Sequence, residues 1–242
     1  MNTNHINPHL LKKELLENKS KYLLSTLILG LIAILSVIAF TGEGTHAQGD
    51  LAFNQYIWSN YSAGILPQLG AVVAIVMGMG SFSLERARGT VLFLLNTPLS
   101  RDVIFSTKTS AGLILICSTL LVSFLLVFLT SRLFDFHIIL GTLLAVFFLT
   151  LVGVIFVFQL TILFSVLSTD PVKAGLASAS CCFILYGAGL FNETQLFSPF
   201  YYMGGGTYLN GGPYPWFFLP FMLFVSIALY ILAQHLWRNL EV

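Results

Sequence analysis

Glu85, Arg86, Arg88, Arg101 and Lys108 fall within one stretch of a 242-residue chain that is only 9% charged. Carboxylates and guanidinium groups so placed can make charge-assisted hydrogen bonds to a partner protein or to lipid phosphates. Read as a solvated loop, they would do no more than set membrane topology, and the residues alone weigh the two readings evenly. The stretch runs Ser83-Leu84-Glu85-Arg86-Ala87-Arg88-Gly89-Thr90-Val91-Leu92-Phe93-Leu94-Leu95-Asn96-Thr97-Pro98-Leu99-Ser100-Arg101. The apolar run Val91 to Leu95 does not suit an aqueous loop unless it packs on something, as a short helix pressed into a partner's groove at a membrane face would. Gly89 would permit a sharp turn, Thr90 would cap that helix and Pro98 would end it.

Other chemistry is sparse. The five histidines, His5, His9, His46, His137 and His235, sit at termini, in loops or at a helix end, without a partner that would activate a serine. Glu43, His46 and Asp50 match no strong metal-ligand spacing and read as solvated loop residues. No G-x-x-x-x-G-K-S/T loop is present to cradle nucleotide phosphates, and Gly78-Met79-Gly80 lies in an apolar helix, where packing is the simpler role. A net charge of +1 argues against a nucleic-acid partner. Gln68 and Gln159 are candidates for a substrate path, with an interhelical hydrogen bond as the plainer alternative.

These residues must be positioned by helices in a bilayer. The chain is 57% hydrophobic with mean hydropathy +0.88, and about 20 apolar residues at about 1.5 Å each cross a hydrocarbon core of about 30 Å. Six stretches qualify, at about 22–41, 62–84, 109–131, 138–168, 174–191 and 214–236. The first resembles a secretory signal but is too long for one, and is read as a retained span. None of the six has Asp, Glu, Lys or Arg in its interior, which disfavours a self-sufficient ion-coupled carrier. Ten basic residues fall on one side of these spans and only Arg132 on the other, so the positive-inside rule places both termini in the cytoplasm.

Residues 6–20 read as an amphipathic helix lying along the inner membrane surface, with a frayed basic tail as the alternative. Gly70, Ala74 and Gly78, and likewise Ala174, Ser178 and Cys182, form small-residue stripes that suit packing within one subunit or a dimer seam. The glycine- and aromatic-rich segment from Asn192 to Pro213 reads either as a lid dipping into the outer leaflet or as a flexible loop. The three cysteines lie in apolar runs and say nothing of redox compartment.

The 85–108 stretch resembles the ABC-2 family of ATP-binding-cassette permeases, which show E-R-x-x-G-T and a hydrophobic run, then T/S-P-hydrophobic-S-R and a lysine before the third span. Glu85, Arg86, Gly89, Thr90, Leu94, Leu95, Thr97, Pro98, Ser100, Arg101 and Lys108 carry that pattern. Lys12-Lys13-Glu14-Leu15, Ser198-Pro199-Phe200-Tyr201 and Trp237-Arg238-Asn239-Leu240 add weaker similarities, with Asn239 standing where a second basic residue is common.

The resemblance implies one all-α membrane domain over 1–242, with six spans, an interfacial elbow helix over 6–20 and a coupling loop over 85–108. It implies a type V exporter-like assembly with two cytoplasmic ATPase subunits and a second permease copy or paralogue. This chain would need no cofactor, because ATP and Mg would be bound by the ATPase. Glu85, Arg86, Arg88, Gly89, Thr90, Pro98 and Arg101 would couple that ATPase to the spans in a bacterial or archaeal inner membrane. An ATP-independent carrier or scaffold is the alternative reading and an intramembrane hydrolase the third.

Overall fold

The computed structural model describes residues 6–42, 49–90, 99–206 and 208–239. Among these the protein is all-α, and six helices are long and apolar enough to cross a membrane.

Helix α1 (Pro8–Glu17) begins where Asn7 Oδ1 accepts from the His9 and Leu10 amides at 3.0 and 3.1 Å, with Pro8 pre-set for the first turn. It forms within the stretch whose amphipathic pattern predicts a helix, yet its buried residues are Leu10 and Glu14 rather than a row of leucines, and Leu16 is exposed. After Asn18 the chain turns into α2 (Lys19–Gly42), the first span.

The second span starts earlier than its apolar stretch suggests. Helix α3 (Gly49–Tyr56) leads through a π-helical segment, Ile57–Ile65, into α4 (Leu66–Gly78). Asp50 and Asn54 lower the hydropathy of α3, but they are its anchors. Asn54 Nδ2 donates to the His137 carbonyl at 2.8 Å, its Oδ1 accepts from the Ile139 amide at 3.1 Å, and Asp50 accepts from the His137 amide at 2.9 Å. Phe53 stacks on Phe136 at 4.3 Å between ring centroids, completing the joint. In the π-helical segment Leu66 N–H reaches back five residues to the Tyr61 carbonyl, and the buried Tyr61 hydroxyl bonds to Ser123 on the third span.

A short helix, α5 (Ser83–Ala87), follows α4. The third span, α6 (Arg101–Leu133), is capped by Ser100, whose Oγ accepts from Val103 at 3.3 Å. The residues 101–108, expected as loop, are thus its first two turns.

Helix α7 (Leu140–Leu167) forms the centre, touching α4, α6, α10 (Phe218–Arg238) and α8 (Pro171–Ala188). Small residues let α4 approach it closely: a Cβ on Gly70 would lie 2.7 Å from Val154 Cγ2, and one on Gly78 would lie 2.9 Å from Thr161 Cγ2. The α4 stripe therefore packs within the subunit. Ala174, Ser178 and Cys182 of α8 are likewise buried in this chain.

Past α8, helix α9 (Pro199–Met203) turns back into the bundle. Met203 is fully buried against Gly153, and Thr150 Oγ1 donates to its carbonyl at 3.0 Å. Thr150 lies ten residues along α7 from Leu140, so this segment reaches about 15 Å below the helix end. Of the two readings of this loop, the described residues match the one that dips inward.

Candidate coupling site

The break between α4 and α5 is held chiefly by the Ser165 hydroxyl, with the Ser83 hydroxyl also donating to the Met79 carbonyl. Ser165 Oγ accepts from the Phe82 and Ser83 amides at 3.1 and 3.2 Å and donates to the Met79 carbonyl at 3.0 Å. Helix α5 ends in a Schellman motif, with the Thr90 amide bonding to the Glu85 carbonyl at 2.9 Å and the Gly89 amide to the Arg86 carbonyl at 3.1 Å. Gly89 occupies the left-handed region at φ +67°, as the sharp turn requires, and nothing crowds its Cα. Thr90 turns its hydroxyl back to the Glu85 carbonyl at 3.3 Å. The helix it would cap, the apolar run Val91 to Leu95 and Pro98 lie outside the described residues.

Because the space around Gly89 is open, a substitution there tests conformation alone. Gly89→Val is expected to cost about 1–2 kcal/mol locally. Hydrogen exchange should show faster loss of protection at Gly89 and Thr90, with thermal unfolding of the bundle unmoved.

Four charged residues of the stretch, Glu85, Arg86, Arg101 and Lys108, hold it to neighbouring helices. Lys108 Nζ lies 2.7 Å from Glu14 Oε1 of α1 and 2.8 Å from Glu85 Oε1 of α5. The three side chains are 3%, 6% and 16% exposed in the order Lys108, Glu14, Glu85, so the cation is almost wholly enclosed by its two carboxylates. Arg86 Nη1 donates to the Val166 and Ser168 carbonyls at 2.8 and 3.3 Å. These lie at the C-terminal end of α7, where a cation also favours the helix dipole. Arg101 Nη1 donates to the Arg238 carbonyl at 2.7 Å at the end of α10, and Trp237 Nε1 returns a bond to the Arg101 carbonyl at 3.1 Å. Asp102 pairs with Arg238 and accepts from Gln234 Nε2 at 3.1 Å. Arg88 is exposed.

A cavity of about 610 Å³ lies beside this cluster. Lys13, Glu17, Lys21, Glu85, Arg88 and Lys108 are among the residues that line it. The stretch thus ties together the ends of α1, α6, α7 and α10 on one side of the bundle.

The structure gives the two glutamines separate places. Gln68 is exposed and donates to the Tyr186 hydroxyl at 3.0 Å, an interhelical bond from α4 to α8. Gln159 is buried in α7, and its Oε1 has no partner among the described residues. Asp50 is engaged with His137, while Glu43 and His46 lie outside the described residues.

Sequence reading missed Glu14, Asp102 and Gln234. Glu14 sits among lysines in an amphipathic pattern and looks solvated, and only its distant partner Lys108 explains its burial.

The sequence pattern of the ABC-2 family transporter protein matches residues 11–191, about three-quarters of the chain. The chain belongs to the ABC-2 transporter family. It is therefore a multi-pass membrane protein and the permease of an ABC transporter, a class that works with an ABC ATPase subunit and has no ATPase site of its own. The match includes the charged stretch from Glu85 to Lys108 and the α1 residue Glu14 that pairs with it. No curated protein and no solved structure matches the chain.

Proposed function

We propose that this ABC-2 permease is the transmembrane subunit of an exporter whose force enters through residues 85–108. The supporting observation is mechanical. Glu85 and Lys108 tie the stretch to α1 and α6, Arg86 ties it to α7, and Arg101 ties it to α10. A displacement of this stretch by a partner would be passed to three spans and the N-terminal helix through short polar contacts.

On this reading two cytoplasmic ATPase subunits bind ATP and Mg, close on one another, and drive the stretch of each of two permeases, identical or paralogous. Gly89 and Thr90 shape the turn, and Pro98 is among the coupling residues with Glu85, Arg86, Arg88 and Arg101. The charge distribution sets both termini and this stretch on the cytoplasmic side of a bacterial or archaeal inner membrane. Gln68 and Gln159 stand as polar groups near a path for substrate, and α9 closes that path from the outside.

Purification of the chain from its native membrane in mild detergent tests this reading. The expected result is a Walker-motif ATPase in about equal amount, with ATP hydrolysis altered by Arg101→Ala. A pure chain free of any ATPase would overturn it in favour of a self-contained carrier.

A further inference from the structure

Resting on that coupling reading, we infer that Glu14 and Lys108 are positioning residues for transport: they form the fixed half of an ion-pair latch from which Glu85 is released when the coupling segment moves.

The latch is asymmetric. Lys108 and Glu14 are held between α6 and α1, nearly sealed at 3% and 6% exposure. Glu85 is more open at 16%, and its second oxygen, Oε2, has no hydrogen-bond partner among the described residues. Lys108 is shared by two carboxylates and the Lys21 ammonium also acts on Glu14, so Glu85, the less sealed of the two, is the one more readily released.

Departure of Glu85 is also cheap in a way that breaking an ordinary buried pair is not. An ion pair with one partner removed leaves an unpaired charge in a low dielectric. Here Lys108 keeps Glu14 at 2.7 Å, and Glu85 enters the adjoining cavity of about 610 Å³. Two cations line the same cavity without an ion pair to any described residue, Lys21 and Arg88. Lys21 Nζ lies over Gly80, 3.5 Å from where a Cβ on that glycine would stand. Glu85 therefore has a second cationic partner to move to, which makes the cluster a two-position element rather than a static clamp. Arg88 lies one helical turn beyond Glu85 and moves with it, so Lys21 of the first span is the acceptor that would mark a changed position.

Carbodiimide labelling of carboxyl groups in the purified complex with its ATPase, read by mass spectrometry, tests the latch. The complex is compared at rest and trapped with Mg and a non-hydrolysable ATP analogue. Glu85 labelling is expected to rise about tenfold on trapping, as a shift from mostly latched to mostly released would give. Glu14 labelling is expected to stay constant. Labelling that stays constant at both carboxylates, or rises equally at both, overturns the inference.

A functional arm separates coupling from folding. Glu85→Gln is expected to assemble with the ATPase and hydrolyse ATP while transport per ATP falls about tenfold, whereas Lys108→Arg retains coupling. A Glu85→Gln complex that transports like the unaltered protein overturns the latch while leaving the coupling reading intact. Absence of an ATPase from the complex removes the coupling reading itself.

Discussion

Lys108→Met is expected to be among the most damaging single substitutions in this protein, costing about 3–5 kcal/mol. It removes the only cation within 4 Å of Glu14 among the described residues and leaves two carboxylates facing each other in an enclosed site. Thermal unfolding in detergent should show a large drop in Tm and low yield from the membrane. The sharper expectation concerns repair. Replacing an entire buried ion pair by neutral groups of similar volume is often close to neutral, while removing one partner is not. The triple substitution Lys108→Met, Glu14→Gln and Glu85→Gln is therefore expected to regain most of the lost Tm. It would not regain coupled transport, because the latch is gone. A triple variant no more stable than Lys108→Met would show that the site is held by something other than its charges.

The second large effect lies at the opposite end of the bundle. A side chain at position 153 would occupy the space that the fully buried Met203 fills, and Met203 is the residue that seats α9 about 15 Å into the bundle. Gly153→Leu is expected to cost about 1–3 kcal/mol, borne mainly by unseating α9 rather than by unfolding α7. Hydrogen exchange should rise at residues 199–206 and stay low in the middle of α7. The pair Gly153→Leu and Met203→Ala, which exchanges volume across the contact, is expected to restore most of the protection. Equal exchange in both segments for Gly153→Leu would mean that the inward-dipping segment is not an independent unit.

What could be read from the sequence follows from the range of the forces involved. Apolar length alone marks six spans, because a helix must match the thickness of the hydrocarbon. Gly89 could be read as a turn because a left-handed residue is a local need. The helix starts at Gly49 and Arg101 could not, since Asp50, Asn54 and Asp102 look like loop residues until their partners are known. Those partners, His137 and Arg238, are far away in the chain.

The site was legible in the same uneven way. The pattern Glu85, Arg86, Arg101 and Lys108 drew attention to the stretch, but not to what each residue holds. Arg86 and Arg101 bind backbone carbonyls at the ends of α7 and α10, and a carbonyl carries no sequence signature. Glu14 was hidden because a glutamate between lysines on an amphipathic helix is ordinarily solvated, whereas here its partner lies 94 residues away.

The central claim is that an ATPase drives this permease through the stretch after the second span. Ala87 is exposed, lies in α5 beside the charged cluster and takes no part in it, so Ala87→Cys is a neutral probe. Cysteine-directed cross-linking in native membranes, followed by mass spectrometry, tests the claim most directly. The account predicts a cross-linked product containing a Walker-motif ATPase, in an amount that changes when ATP analogue and Mg are added. Asp135→Cys, in the turn after α6 at the far end of the bundle, should give none. An ATPase captured equally from both positions, or from neither, would contradict it.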